Sequence, residues 1–405
     1  MTNTHKTIVI AGALDTKGAE FAFLKGLIEQ AGARTTLIDF GIYAPQIGSE
    51  ISHEVIASAG GGDLVHLATG QHKDEAMQVM AQGLAAVVRK LYDDGQLDGI
   101  ISMGGSGGTS IACTAMRALP VGVPKVMVST LAGGDVSAFA GSKDIMFIPS
   151  IVDVAGINSI SRTIFANAAG AIVGAVQMAR PTAQGEQPLI CASMFGNTTQ
   201  CVDRARGVLE STGYEVLVFH ATGSGGKTME SLISDGYFRA SCDITTTELA
   251  DAICGGALSA GMDRCMAAAR AGIPTLLVPG CVDMCNFWGI ETVPEKYRER
   301  NLYQWNPNIT LMRTNVDENR QIGEWLARAA NAAVGPVRIL LPLKGVSMLD
   351  SAGERFWDPQ ADQACFDAIK HNLRPEISIQ ELDYNINDPE FAEACARAVL
   401  GMLGT

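Results

Sequence analysis

Short β-branched apolar runs alternate with longer stretches whose apolar residues recur every three or four positions, almost from the start of the chain. Thr7 to Ala11 reads as a strand, and Ala19 to Ala31 carries its apolar residues at helical spacing. Arg34 to Phe40 reads as a second strand. Further on, Asp98 to Met103 is a strand, Thr109 to Leu119 a helix and Pro124 to Thr130 another strand. This β-α-β-α order predicts an α/β fold with doubly wound, mostly parallel sheets. Beyond Glu299 the periodicity is less regular, although Gln321 to Ala333 reads as a helix, Val337 to Leu341 as a strand and Pro389 to Leu403 as a closing helix.

The second half of the chain repeats the pattern of the first. Thr7 to Gly41 lies without a gap on Pro188 to Thr222, pairing Gly32 with Gly213 and Leu37 with Val218. Later, GVPKVMV at Gly122 to Val128 resembles GIPTLLV at Gly272 to Val278. Identity within these pairs is low, so an internal repeat and the convergence of two ordinary βαβ units both account for them. Met178 to Pro188 holds two prolines, a glycine and polar residues, as an exposed connector would. With 405 residues the chain exceeds the ~250 to 300 at which single cores stop growing. The expectation is therefore two Rossmann-like lobes, residues 1–180 and 188–405, the second being larger.

Composition narrows the function classes. Hydrophobic residues make up 47% of the chain and 44 residues are glycine, which suits buried parallel strands joined by tight turns. No uninterrupted apolar run reaches the ~18 residues of a membrane span, and Met1 to Lys6 is polar, so the expectation is a protein of the cytoplasm. Ten cysteines are scattered through apolar elements without paired CxxC motifs, which fits reduced thiols. Cys281 and Cys285 stand four apart with no histidine near them, a poor zinc site. A net charge of −13 argues against nucleic acid as a partner, while a local anion site built from main-chain amides stays compatible with it.

In an open parallel sheet, ligands collect beyond the carboxyl ends of strands, where helix N-termini present free amides. Three strand-end segments stand out. Gly104, Gly105, Ser106, Gly107, Gly108 and Thr109 follow a strand and enter a helix; a tight turn needs fewer glycines, so the reading is a phosphate site. Asp15, Thr16 and Lys17 end the first strand: Lys17 can neutralise phosphate charge and Asp15 can hold Mg²⁺, although a plain N-cap uses the same residue types. Ala221 to Thr228 (ATGSGGKT) fits a relaxed P-loop, with Lys227 on the outer phosphates and Thr228 on Mg²⁺. Alanine in its first position and the lack of a clear Walker-B aspartate count against an orthodox P-loop enzyme. Gly223, Gly225, Gly226 and Lys227, with Glu248 and Asp283, then form an expected second anion or substrate site.

Weaker candidates are Ser129 to Asp135, Pro279 to Asn286 and Thr245 to Glu248, each read as structural when judged alone. Cys281 reads as an inert small residue. The six histidines are dispersed and form no triad, and only His220 stands at a strand end beside a glycine loop. Gly104 to Thr109 lacks GxGxxG spacing, which disfavours a dinucleotide-dependent oxidoreductase.

At AGALDTK, GGSGGTS, GVPKVMVST and HATGSGGK, and again at ILLPLKGVSMLD and YNINDPEFA, the chain resembles a widespread, largely uncharacterised bacterial and fungal family. That family also supplies the N-terminal ATP-binding domain of a plant tobamovirus-resistance protein. The resemblance spans essentially the whole chain. It implies two Rossmann-like subdomains with Mg²⁺-ATP held chiefly by the first, on Asp15, Thr16 and Lys17, on Gly105 to Thr109, near Thr130, and near Gly41 and Ile42. The plant relative joins this domain to a TIM barrel and blocks viral RNA replication; this chain lacks the barrel, and that activity is not transferred. Family members often carry alanine and leucine where this chain has Cys281 and Val282, which leaves Asp283 without an assigned role. The leading expectation is an ATP-binding homo-oligomer acting as a kinase, ligase or activating enzyme on a small metabolite in a cleft between lobes. The alternative is a nucleotide-gated regulator or adaptor without chemistry of its own.

Overall fold

Ile8 and Ile10 face one layer of helices while Val9 and Ala11 face another, because successive side chains of a strand point to opposite sides. A sheet covered on both faces needs such apolar runs, and parallel strands supply them. The computed structural model describes residues 6–70, 73–178 and 187–404. Contacts divide the chain into two compact units, Met1–Thr182 and Ala183–Thr405. Of the connector expected at Met178 to Pro188, positions 179–186 lie outside the described residues.

The first unit is built on β1 (Thr7–Gly12), β2 (Arg34–Asp39), β3 (Gly99–Gly104), β4 (Lys125–Ser129) and β5 (Met146–Pro149). They form one parallel sheet in the order β2-β1-β3-β4-β5. Helices Lys73–Asp93 and Ser106–Arg117 cover one face through Met80, Leu84, Val88, Ala112 and Met116. Helices Leu14–Gln30 and Ser159–Gln177 cover the other through Phe21, Leu24, Phe165 and Ile172. The order reverses between β1 and β3, and at such a switch point the two following loops diverge and leave a crevice.

Two helices begin earlier than the sequence pattern suggests. The first starts at Leu14 rather than Ala19, so Asp15, Thr16 and Lys17 lie in its opening turn, with Lys17 at non-helical φ −132° and ψ 28°. The second starts at Ser106 rather than Thr109, which leaves Gly105 as the N-cap and puts Gly107 and Gly108 in the first turn. Apolar periodicity marks where a helix becomes buried, and these small polar first turns stay silent in it. Helix Ser159–Gln177 is also long and apolar enough, by length and composition, to cross a bilayer. Phe165, Ala168, Ile172 and Val176 on it are core residues of the first unit.

The second unit repeats the plan. Its large sheet contains β6 (Leu189–Met194), β7 (Glu215–His220), β8 (Ala240–Thr245) and β9 (Thr275–Gly280). A small antiparallel sheet follows, from β10 (Met284–Phe287), β11 (Leu302–Asn306) and β12 (Ile309–Arg313), and then β13 (Val337–Pro342) and β14 (Ser378–Leu382) return to the large one. The large parallel sheet runs β14-β13-β9-β8-β6-β7. Read from β7, this is the order of the first unit with one strand added. Thr7 to Gly41 and Pro188 to Thr222, matched by sequence alone, form the same strand, helix, strand motif. The small sheet, ordered β10-β12-β11, is what the weak periodicity after Glu299 conceals.

Candidate functional site

Asp39, at the end of β2, organises the switch point of the first unit. Its Oδ1 accepts from Leu14 N at 3.0 Å, satisfying an opening amide of the first helix, and from Gly41 N at 2.8 Å. Burial holds its carboxyl above the usual carboxylate range. Across from it, Asp15 Oδ2 accepts from the amides of Ile42 and Tyr43 at 3.1 and 3.2 Å. Gly41 packs so closely that a Cβ there would stand 2.6 Å from Asp15 Cγ. The turn after β2 is thereby tied to the first turn of the first helix.

Between them lies a cavity of about 310 Å³. Asp15, Thr16 and Gly41 line it together with Gly107 and Gly108, whose helix follows β3. Phe40, Met77, Met80 and Ile111 give it an apolar wall, and Lys73 supplies a cation. The opening amides of helix Ser106–Arg117 have no acceptor within the helix, and the helix dipole adds partial positive charge there. Asp15 Oδ1 is buried with no hydrogen-bond partner.

Other expected contacts lie elsewhere. The Lys17 ammonium donates to the carbonyl of Val154 rather than lining this cavity. Thr109 is buried, its hydroxyl bonded to Ser129 Oγ at 2.7 Å, and so ties the helix after β3 to the end of β4 instead of facing a ligand. Gly104 belongs to β3, and its carbonyl accepts from Thr130 N at 3.2 Å. Thr130 lines a separate cavity with Ser150 to Asp153. Gly105 and Ser106 begin the helix without lining the cavity.

In the second unit the glycine loop already holds an anion that belongs to the chain. Glu248 is fully buried, and its Oε1 accepts from Gly223 N at 2.6 Å and Gly226 N at 3.1 Å. A Cβ on Gly226 would collide with this carboxylate, and one on Gly225 would collide with the His220 carbonyl. Arg264 Nε donates to Glu248 Oε2 at 2.6 Å while its two Nη atoms fork onto Asp243 at 2.5 and 2.7 Å. The expected ligand cradle of Gly223, Gly225, Gly226 and Glu248 is therefore closed by an internal ion pair. Lys227 lines a different cavity with Asp263 and Arg270, and the Thr228 hydroxyl donates to the Ser224 carbonyl at 2.9 Å. P-loop spacing here reflects close packing around a buried carboxylate.

Asp283 is also internal. Pro279 to Asn286, expected as a loop, instead ends β9, turns through Cys281, and opens β10, all of it buried. Burial and the neighbouring Asp350 raise the Asp283 carboxyl, whose Oδ2 accepts from Ser347 Oγ at 2.8 Å. Arg313 balances this acidic group, reaching Asp362 at 2.7 Å and Asp350 at 3.5 Å. Burial pushes the Cys281 thiol well above its ordinary value, so it is inert as a nucleophile. All ten cysteines are free and buried, and no cluster fit for a metal occurs among the described residues. Thr245 to Glu248 carries no side-chain helix cap; Thr246 and Thr247 hydroxyls instead donate to the carbonyls of Val278 and Met284.

The second unit nevertheless has an open cavity of about 460 Å³ at the ends of β6 and β7. Phe195 and His220 form one wall, stacked 5.4 Å apart at 20°. Trp288 and Trp305, from the segment around the small sheet, face the same space with Asn197, Thr222 and Ser224. Of these, His220 and, within the ATGSGGKT segment, Thr222 and Ser224 stood out in the sequence. The tryptophans come from a part of the chain whose strands were illegible, and Asn197 is an ordinary loop residue until β6 is placed. Asp39 had a visible signal, an acidic residue ending the second strand, and Lys73 had none.

Comparison with known proteins follows the same division. The N-terminal domain of the uncharacterised protein family UPF0261 matches residues 6–181, and its C-terminal domain matches residues 187–403. A UPF0261 protein of Clostridium tetani is 47% identical, with 98% of this chain and 99% of that protein aligned. A relative from Mesorhizobium japonicum is 44% identical over 96% of this chain and 98% of its own. The ToMV resistance protein Tm-1 of Solanum lycopersicum is 38% identical over 80% of this chain but only 44% of its own length. Among solved structures, a UDP-GlcNAc 2-epimerase from Neisseria meningitidis aligns over 67% of this chain and 82% of its own, at 9% identity and a TM-score of 0.25, too distant to bear on ligands.

Proposed function

We propose that this chain, which belongs to the UPF0261 family through both of its units, is a cytoplasmic ATP-binding protein that phosphorylates, ligates or otherwise activates a small metabolite. One observation carries the reading: a single cavity at the switch point of the first unit combines an apolar wall with an anion-attracting end. Phe40, Met77, Met80 and Ile111 suit the faces of an adenine ring. The amides opening helix Ser106–Arg117 and the ammonium of Lys73 suit the phosphates.

Asp15 fits a magnesium ion by its chemistry. Its Oδ1 is buried without a donor, and Mg²⁺ takes one or two carboxylate oxygens and completes its shell from phosphates and water. When bound, the ion would draw charge from the phosphate oxygens. Asp15 and the Thr16 hydroxyl would hold it, while Asp39 keeps the surrounding backbone fixed. Lys73 takes the neutralising role that the sequence pattern gives to Lys17.

The test is equilibrium dialysis of the full chain against labelled ATP with and without Mg²⁺, followed by a phosphate-release assay over a metabolite panel. Stoichiometric binding with turnover on one compound class supports the enzyme. Binding without turnover on any compound returns the protein to the regulatory reading, and absence of binding removes both.

A further inference from the structure

We infer that the cavity at the ends of β6 and β7 is a second ligand site, and that its ligand is a small, uncharged, planar aromatic compound bearing a hydrogen-bond donor. Among the described residues no Asp, Glu, Lys or Arg lines this cavity. A charged ligand would find no carboxylate, ammonium or guanidinium side chain there to offset its lost hydration, which is unfavourable. Trp288 and Trp305 are 52% and 44% exposed, although large aromatic side chains gain most from burial. With the stacked Phe195 and His220 they give the cavity flat aromatic surfaces on two sides of its wall, one at the ends of the parallel strands and one beside the small sheet. Planar rings stack on such surfaces.

Asn197 specifies the donor. The residue is 3% exposed and lines the cavity, and its Oδ1 is buried without a protein partner. Its Nδ2 donates to Met284 Sδ at 3.3 Å, and because a thioether accepts but cannot donate, the amide cannot be reversed without losing that contact. The side chain is thus left with an acceptor that a ligand N–H or O–H can satisfy. Met348 N and Asn387 Nδ2 both donate to the Asn197 carbonyl, at 3.1 and 2.9 Å, and fix its backbone. That this ligand is the metabolite acted on rests on the ATP reading above; that the cavity binds it does not.

The test uses 1-naphthol as the probe, titrated calorimetrically into the full chain without nucleotide, then into Trp305→Ala and His220→Ala. Both substitutions are at exposed positions, and thermal melts check that each variant is folded. Saturable binding is expected, weakened about tenfold or more in each folded variant, as for the loss of an aromatic anchor. The same experiment with 1-methoxynaphthalene, which lacks the donor, is expected to give binding at least about fivefold weaker. Absence of saturable 1-naphthol binding, equal affinity in wild type and variants, or preference for methyl glucoside would each overturn the inference. Mg²⁺-ATP titrated into the same samples reports on the first unit alone, so failure of one site is distinguishable from failure of the other.

Discussion

Arg264 Nε donates to Glu248 Oε2 at 2.6 Å, and neither side chain reaches solvent. Removing one partner of such a pair leaves a buried charge uncompensated and typically costs about 3–5 kcal/mol. Glu248→Ala also strips the acceptor from the Gly223 and Gly226 amides. Urea unfolding should therefore show a loss of at least about 3 kcal/mol in this variant. Lys227→Ala, at an exposed position, should stay within about 0.5 kcal/mol of wild type. A loss in Glu248→Ala below about 1 kcal/mol would mean that the loop is not held together by this carboxylate.

Asp251 predicts a pH dependence. Burial pushes its carboxyl up to about 7, against the lowering effect of Asn286 and Leu258 donors. A carboxyl raised on folding binds its proton more tightly in the native state. Its contribution to stability is thus complete below the unfolded value near 3.8 and is lost as pH rises through about 7. A displacement of this size corresponds to roughly 4 kcal/mol. Asp251→Asn should make the protein less pH-sensitive across that window, measured as the difference in unfolding free energy from wild type at pH 4.5 and 7.5. Identical slopes for the two proteins would contradict the assignment.

Asp15 carries two roles that substitution can separate. Asp15→Asn keeps one acceptor for the Ile42 and Tyr43 amides but removes the negative charge. Stability should fall by no more than about 1 kcal/mol, while the Mg²⁺ dependence of ATP binding should disappear. Gly41→Ala, which would crowd Asp15, should lower both stability and affinity. An Asp15→Asn protein whose ATP affinity still rises with Mg²⁺ would place the ion elsewhere.

Much of the fold was legible because parallel strands buried on both faces must carry apolar runs, as Ile8 to Ala11 and Ile339 to Leu341 do. The matched segments at Thr7 and Pro188 showed the shared plan of the two units for the same reason. Helix starts were not legible, since Asp15 to Lys17 and Ser106 to Gly108 form first turns without apolar periodicity. The antiparallel sheet was hidden because its edge strand β11 is largely solvent-facing. In the N-terminal cavity, Asp15, Thr16, Gly107 and Gly108 were nameable from strand-end position and Gly41 from the family resemblance, whereas Lys73 arrives from a helix distant in sequence. Gly223 to Lys227 misled because glycine spacing reports close approach to an anion without saying whose. Here the anion is Glu248.

The central claim concerns the cavity between the turns after β1, β2 and β3. Gly107 tests it most directly, because a Cβ there meets only the flexible Met77 side chain at 3.7 Å. An aspartate in the first turn of a helix is favourable to folding by about 0.3–1 kcal/mol, yet it would set a carboxylate where phosphates are to bind. Calorimetric titration of Mg²⁺-ATP into wild type and Gly107→Asp, with equal melting temperatures as the control, is the measurement. The account predicts stoichiometric binding to the wild type and affinity about 30-fold lower or undetectable in the folded variant, equivalent to at least about 2 kcal/mol; unchanged affinity would show that the nucleotide does not occupy this cavity.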